Sequence, residues 1–122
     1  MRKLYIILAF FSLSFATVTD IDGNAYETIQ IGSQVWMAEN LNVAHYRNGD
    51  EIESAQFTSN QEVYGRLYNW HEADDDRGIC PEGWFVPSDD DFKTLEMFLG
   101  MSESEANNAG YRGTNEGSKL AG

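Results

Sequence analysis

Cysteine, histidine and positive charge are all scarce in this chain, and each scarcity removes a class of function. A single cysteine, Cys80, cannot build the disulfide framework on which many small exported domains rely. Two histidines, His45 and His71, lack the paired cysteine or carboxylate spacing of a zinc site, so no metal and no cofactor is expected. Eight Lys and Arg stand against twenty Asp and Glu, for a formal net charge of -12. Contacting phosphates requires clustered cations, so nucleic acid is excluded as an expected partner. No apolar run reaches the roughly 20 residues needed to span a bilayer. Internal repeats and low-complexity tracts are absent too.

The longest apolar run, residues 4–11, follows Arg2 and Lys3 and leads through Ser12-Leu13-Ser14-Phe15-Ala16 into polar sequence. Cations, a short apolar stretch and small residues at Ser14 and Ala16 are the order of a secretory signal peptide. We therefore expect residues 1–16 to be removed after Ala16, leaving residues 17–122 as one exported or surface-displayed domain with no stable membrane span. With Arg2 and Lys3 removed, six Lys and Arg face twenty Asp and Glu, and the net charge becomes -14. A hydrophobic fraction of 42% is too high for a disordered chain, so a packed core is expected.

Along the mature segment, Asp20-Ile21-Asp22-Gly23-Asn24 reads as a tight turn. It lacks the full oxygen set of a calcium loop. Residues 25–31 are expected as a strand rich in β-branched and aromatic side chains, Gly32-Ser33 as a turn, and Gln34-Val35-Trp36-Met37 as the returning strand of a hairpin. Residues 45–62 are polar and read as a long surface loop, and the acidic run Asp74-Asp75-Asp76 as a solvated turn. The conformation of residues 64–70 stays open between helix and strand.

Ser88 with Asp91 makes a capping box that should start a helix carrying Phe92, Leu95, Phe98 and Leu99, with Gly100 as its stop. Ser102 with Glu105 should start a shorter helix through about Asn108. Residues 109–117 look too glycine-rich for regular structure. One hairpin and two short helices in the C-terminal third, without strand and helix alternation, predict the α+β class.

Five blocks, in order, resemble the Fibrobacter succinogenes major paralogous domain. They are Asp22-Gly23-Asn24-Ala25-Tyr26, the stretch from Ile31-Gly32-Ser33-Gln34 to Asn40-Leu41-Asn42, Tyr64-Gly65-Arg66-Leu67-Tyr68-Asn69-Trp70, Cys80-Pro81-Glu82-Gly83-Trp84, and Gly113-Thr114-Asn115-Glu116-Gly117-Ser118-Lys119-Leu120. Phe85 and Val86 depart from the family's His-Leu at that point. The family domain continues beyond the last block into further strands and a closing cysteine. The resemblance therefore implies an incomplete domain and makes Cys80 a candidate half of a structural disulfide. The helix preceded by a Cys-Pro-Glu-Gly-Trp block is similar to a C-type lectin-like fold, which implies an incomplete domain of that kind. No sugar or calcium residues carry over.

Trp36, Trp70 and Trp84 are candidate ligand-contact aromatics, since indole faces suit pyranose rings, against the plainer expectation that all three fill the core. Cys80 is expected to be structural and not a nucleophile. The function these observations imply is a non-catalytic binding module for polysaccharide or a surface protein. The alternatives are an exported enzyme on a lectin-like fold and a structural fragment without activity of its own.

Overall fold

Residues 16–53, 56–57 and 64–120 are described by a computed structural model, and in them the chain is α+β. Residues 1–15, which carry most of the expected signal peptide, lie outside the described residues. Three strands form an antiparallel sheet in the order β1-β2-β3: β1 is Thr17–Thr19, β2 Ala25–Ile31 and β3 Gln34–Met37. The register pairs Val18 with Tyr26 and Ile29 with Trp36. Both predicted hairpin strands have the expected limits, and β1 adds a strand the sequence did not announce. Gly32 at φ 63 opens the two-residue loop between β2 and β3. Glycine at the first loop position fits the type II′ turn, whose twist matches that of the strands it joins. The ring of Phe98 lies where a Cβ on Gly32 would stand, so a side chain there is blocked by packing as well as by backbone.

β2 alternates buried and exposed residues, with Tyr26 and Thr28 turned inward on one face. The opposite face carries Ile29 and its partner Trp36, and there the second helix docks. Gln34 Nε2 donates to the Asp91 carbonyl at 3.1 Å, and the Trp36 and Phe92 rings lie 5.5 Å apart.

The turn between β1 and β2 is organised by Asp20. Its Oδ1 accepts from the Asp22 and Asn24 amides at 2.9 and 3.0 Å. Its Oδ2 accepts from Asn24 Nδ2 at 2.9 Å and the Tyr26 hydroxyl at 2.5 Å. The same hydroxyl accepts from the Asn42 amide at 2.9 Å, while Asp22 accepts from the Ala44 amide at 2.5 Å and pairs with His45 Nδ1 at 2.6 Å. These bonds fasten residues 42–45 across the inner face of the sheet.

From that seam the main core grows. Val43, Tyr46, Ile52 and Ile79 are buried together, with Leu41, Tyr68, Ala73 and Cys80 packed on them. Two of the four, Tyr46 and Ile52, come from residues 45–62, expected to be a surface loop, and that expectation is corrected for 45–53; residues 54–55 and 58–62 lie outside the described residues. Residues 43–52 fold back on themselves: Tyr46 N donates to Asp50 O at 2.8 Å, Ile52 N to Ala44 O at 2.9 Å, and His45 bridges Glu51. The polar residues 47–51 form the tip, so the few apolar side chains on either side converge inward. A two-stranded ladder of β4, Gln56–Phe57, and β5, Arg66–Leu67, completes the sheets.

Four helices are described: α1 Trp70–Ala73, α2 Asp89–Phe98, α3 Glu103–Ala106 and α4 Glu116–Leu120. Asn69, Ser88 and Ser102 cap the first three with complete reciprocal boxes to Glu72, Asp91 and Glu105. Three acidic residues in the first turn of α2 match the positive end of its dipole. Gly100, at φ 114, carries the chain out of α2 as expected. α3 stops at Ala106, earlier than predicted, and three helices instead of two occupy the C-terminal third. Residues 109–115 are irregular as expected, and the expectation fails only at 116–117, where Glu116 Oε2 accepts from the Thr114 and Asn115 amides at 2.7 and 3.1 Å and so starts α4. Lys119 Nζ donates to the Leu99 carbonyl and Arg112 Nε to Glu96 Oε2 at 2.9 Å, tying the chain's end back to α2.

Tyr26→Phe should cost about 1.5–3 kcal/mol of stability, the range for a hydrogen bond to a charged acceptor. Burial, reinforced by the Asp20 carboxylate, pushes the Tyr26 phenol above its ordinary value, so it stays a donor across the neutral range. Urea unfolding of the two proteins checks this. A difference under about 0.5 kcal/mol would mean that the hydroxyl bridge does not hold the seam.

Candidate functional site

The turn made by Pro81-Glu82-Gly83-Trp84 brings a second wall up against the edge of β3. Ile79 is part of the core and Pro81 is buried, and the Trp84 amide donates back to the Pro81 carbonyl at 3.0 Å. The chain then runs without regular structure from Trp84 to Pro87 until Ser88, in an extended conformation, caps α2. Between this segment and β3 lies an open cleft of about 890 Å³. Val35, Trp36 and Met37 form one side, and Trp84, Phe85 and Val86 the other. Tyr68, Ile79 and Cys80 reach it from the main core and make its floor.

The polar side chains of the cleft are mostly engaged within the protein. Gln34 Oε1 accepts from the Trp36 indole at 3.1 Å while its amide nitrogen holds the Asp91 carbonyl. Asp91 closes the Ser88 cap, and the Tyr68 hydroxyl donates to the Val43 carbonyl at 2.7 Å. Glu39 and Asp91 are the charged residues of the lining, and no Lys or Arg is among it. Apolar surface of this extent left open beside polar rims is typical of an interaction site.

The three tryptophans part company. Trp36 and Trp84 are half-buried and both line the cleft, whereas Trp70 is 70% exposed, lies outside it and has its ring 5.3 Å from that of His71, edge to face. None of the three belongs to the buried core, so the expectation that all of them fill it is corrected, most plainly for Trp70. As the first residue of α1, it sits where a short helix turns its outer face to solvent. Phe85, 71% exposed, and Val86 are cleft residues that sequence reasoning passed over. Three consecutive large side chains, Trp84-Phe85-Val86, cannot all point into one core, and that was the available signal.

Cys80 is a free, half-buried thiol on the cleft floor, raised above its ordinary value by burial against the opposing pull of Arg47. The two histidines stand apart: His45 pairs with Asp22, and His71 lies on α1. Among the described residues no three His, Cys, Asp or Glu side chains gather as a metal site would require. Asp20-Ile21-Asp22-Gly23-Asn24 is a turn, with its carboxylates taken by amide, hydroxyl and imidazole partners.

The acidic run forms the expected turn, with Asp74 and Asp76 exposed and Asp75 held by Arg77. Arg77 bonds Asp75 at 2.8 Å and Asp50 at 3.0 Å, with its guanidinium 3.9 Å above the Tyr46 ring. Hydrogen bonds from Arg77 hold the Asp75 carboxyl down at about 2. A carboxyl depressed on folding stabilises the fold above its ordinary value of 3.8, and that contribution is lost as pH falls towards 2. Arg77→Ala removes the guanidinium bonds and keeps the Arg77 backbone amide, which donates to Asp75 Oδ1 at 2.9 Å, so Asp75 should rise part of the way towards 3.8 and the acid limb should shrink. Carboxyl titration by NMR checks it, and an unmoved Asp75 would show that Arg77 is not the cause.

A family model, the Fibrobacter succinogenes major domain, matches residues 29–122. No curated protein and no solved structure matches the chain. The matched span takes in every block of the resemblance except the first, and three of those blocks contribute to the cleft lining, among them Trp36 and Leu41, Tyr68, and Cys80 and Trp84. The chain belongs to the Fibrobacter succinogenes major domain family.

Proposed function

We propose that this chain is an exported, non-catalytic binding module with a C-type lectin-like arrangement, and that it engages its ligand in the cleft between β3 and residues 84–86. The observation that carries the reading is the cleft itself: apolar side chains from two distant stretches of sequence converge on an open surface and leave Phe85, Val35 and Val86 exposed. Scattered exposed apolar residues are ordinary, but a contiguous set beside a polar rim points to a partner. Export is supported by the cationic and apolar leader in residues 1–16, and the lectin-like reading by the order of hairpin, Cys-Pro-Glu-Gly-Trp turn and amphipathic helix. Among the described residues no helix is long and apolar enough to cross a membrane. The acidic surface disfavours polyanions and leaves polysaccharide or protein as the ligand classes.

Expression of the whole chain with its leader in a bacterium, followed by fractionation and N-terminal sequencing, should recover a secreted or surface-bound protein beginning at Thr17. Retention inside the cell with Met1 still in place would contradict export. Tryptophan-fluorescence titration against panels of cell-wall oligosaccharides and extended peptides tests the cleft. Trp84→Ala should weaken binding about tenfold or more, as loss of an aromatic anchor does, and Trp70→Ala should leave it unchanged. Equal loss from both variants would remove the cleft as the site.

A further inference from the structure

The cleft runs along a sheet edge that no described strand pairs, and that edge specifies the ligand more narrowly than the apolar walls do. In an antiparallel ladder, residues alternate between those whose backbone groups bond the partner strand and those whose groups face away. Ile31 and Gln34 close the two-residue loop, Ile29 pairs with Trp36, and the Ala38 amide donates to the Glu27 carbonyl at 2.8 Å. Gln34, Trp36 and Ala38 therefore bond β2, and the N–H and C=O groups of Val35 and Met37 face outward. β1 lies on the other side of β2, and among the described residues no strand pairs with β3 on this edge. Both outward-facing residues line the cleft.

We propose, resting on the binding-module reading, that the cleft takes an extended peptide strand, which adds to β3 through the main-chain groups of Val35 and Met37 and sinks alternate apolar side chains against Trp84, Phe85 and Val86. Main-chain bonds along an open edge supply affinity, and pockets for alternate side chains supply selectivity. Charge completes the description of the occupant. The lining holds Glu39 and Asp91 and no Lys or Arg, on a chain of net charge -12, so the strand carries cationic and no acidic side chains. A sugar is the weaker fit. Its hydroxyls need convergent polar side chains, and with Gln34, Asp91 and Tyr68 bonded inside the protein the lining offers Ser33, Glu39 and Asn40 for that purpose.

The test uses the full chain, isotopically labelled, with lysine-flanked peptides alternating valine and threonine as probes. Each peptide is made unmodified and with its backbone amides methylated at odd or at even positions. Strand addition predicts chemical-shift changes confined to residues 34–39 and 84–86. It also predicts that methylation in one phase weakens binding about tenfold or more while the other phase is tolerated. Val35→Pro, which removes an outward N–H without touching the β2 ladder, should weaken binding to the same extent. The peptide pair tests the geometry with the protein unaltered, should that variant fail to fold. Equal binding of both methylated phases overturns strand addition. Binding of cellohexaose or xylohexaose in the cleft with no peptide binding overturns the peptide class and leaves the binding-module reading standing. Self-association abolished by Val35→Pro overturns it in favour of a second copy of the chain. No binding by any probe overturns both readings.

Discussion

A carboxylate removed from water without a neighbouring cation is tolerated only when hydrogen-bond donors surround it, and Asp20, 6% exposed, meets that condition. Among the described residues no ion pair reaches it. Two amides, a side-chain amide and a phenol do. The donors are close in sequence, so the arrangement fixes the turn between β1 and β2. One of them, Tyr26, is also the inward-facing residue of β2, and its oxygen takes up the Asn42 amide. A local turn is thereby joined to a contact sixteen residues away. Asp22, in the same turn, holds Ala44 and His45, so the seam is closed at several points along its length.

The rest of the architecture follows from where that seam lies. Once residues 42–45 are held on the inner face, Val43 and Tyr46 enter the core with Ile52 and Ile79, and Arg77 closes over Tyr46 from outside. The opposite face of the hairpin is taken by α2 through Trp36, Gln34 and the Phe98 ring over Gly32. A hairpin held on both faces has only its edge left, and that edge is β3. The cleft is thus the remainder of two packing arrangements that meet on either side of one strand. Its apolar walls belong to side chains anchored elsewhere: Trp36 by Gln34, Trp84 by the turn at Pro81, Tyr68 by the Val43 carbonyl.

Local features were legible in the sequence because their causes are local. The β2 and β3 strands, the Gly32-Ser33 turn and the caps at Ser88 and Ser102 each depend on residues within a few positions of one another. The Asn69 and Glu72 box carried the same signature and was obscured by the aromatic residues around it. The core contribution of residues 43–52 was not legible. It depends on where Asp22 and Tyr26 place that segment, and a polar composition gives no sign of it. The cleft was half legible: Trp36 and Trp84 were named, but their separation from Trp70, and the part played by Phe85 and Val86, needed the long-range placement of the Pro81 turn beside β3.

The dependence of the fold on the Asp20 seam is tested most directly by amide hydrogen exchange, read residue by residue. If the seam is the constraint on which the hairpin and the core both rest, the amides of Asp22, Asn24 and Ala44 exchange as slowly as those of Ile29 and Trp36, in a single cooperative opening. Rapid exchange at those three amides, with the β2 and β3 ladder still protected, would contradict it.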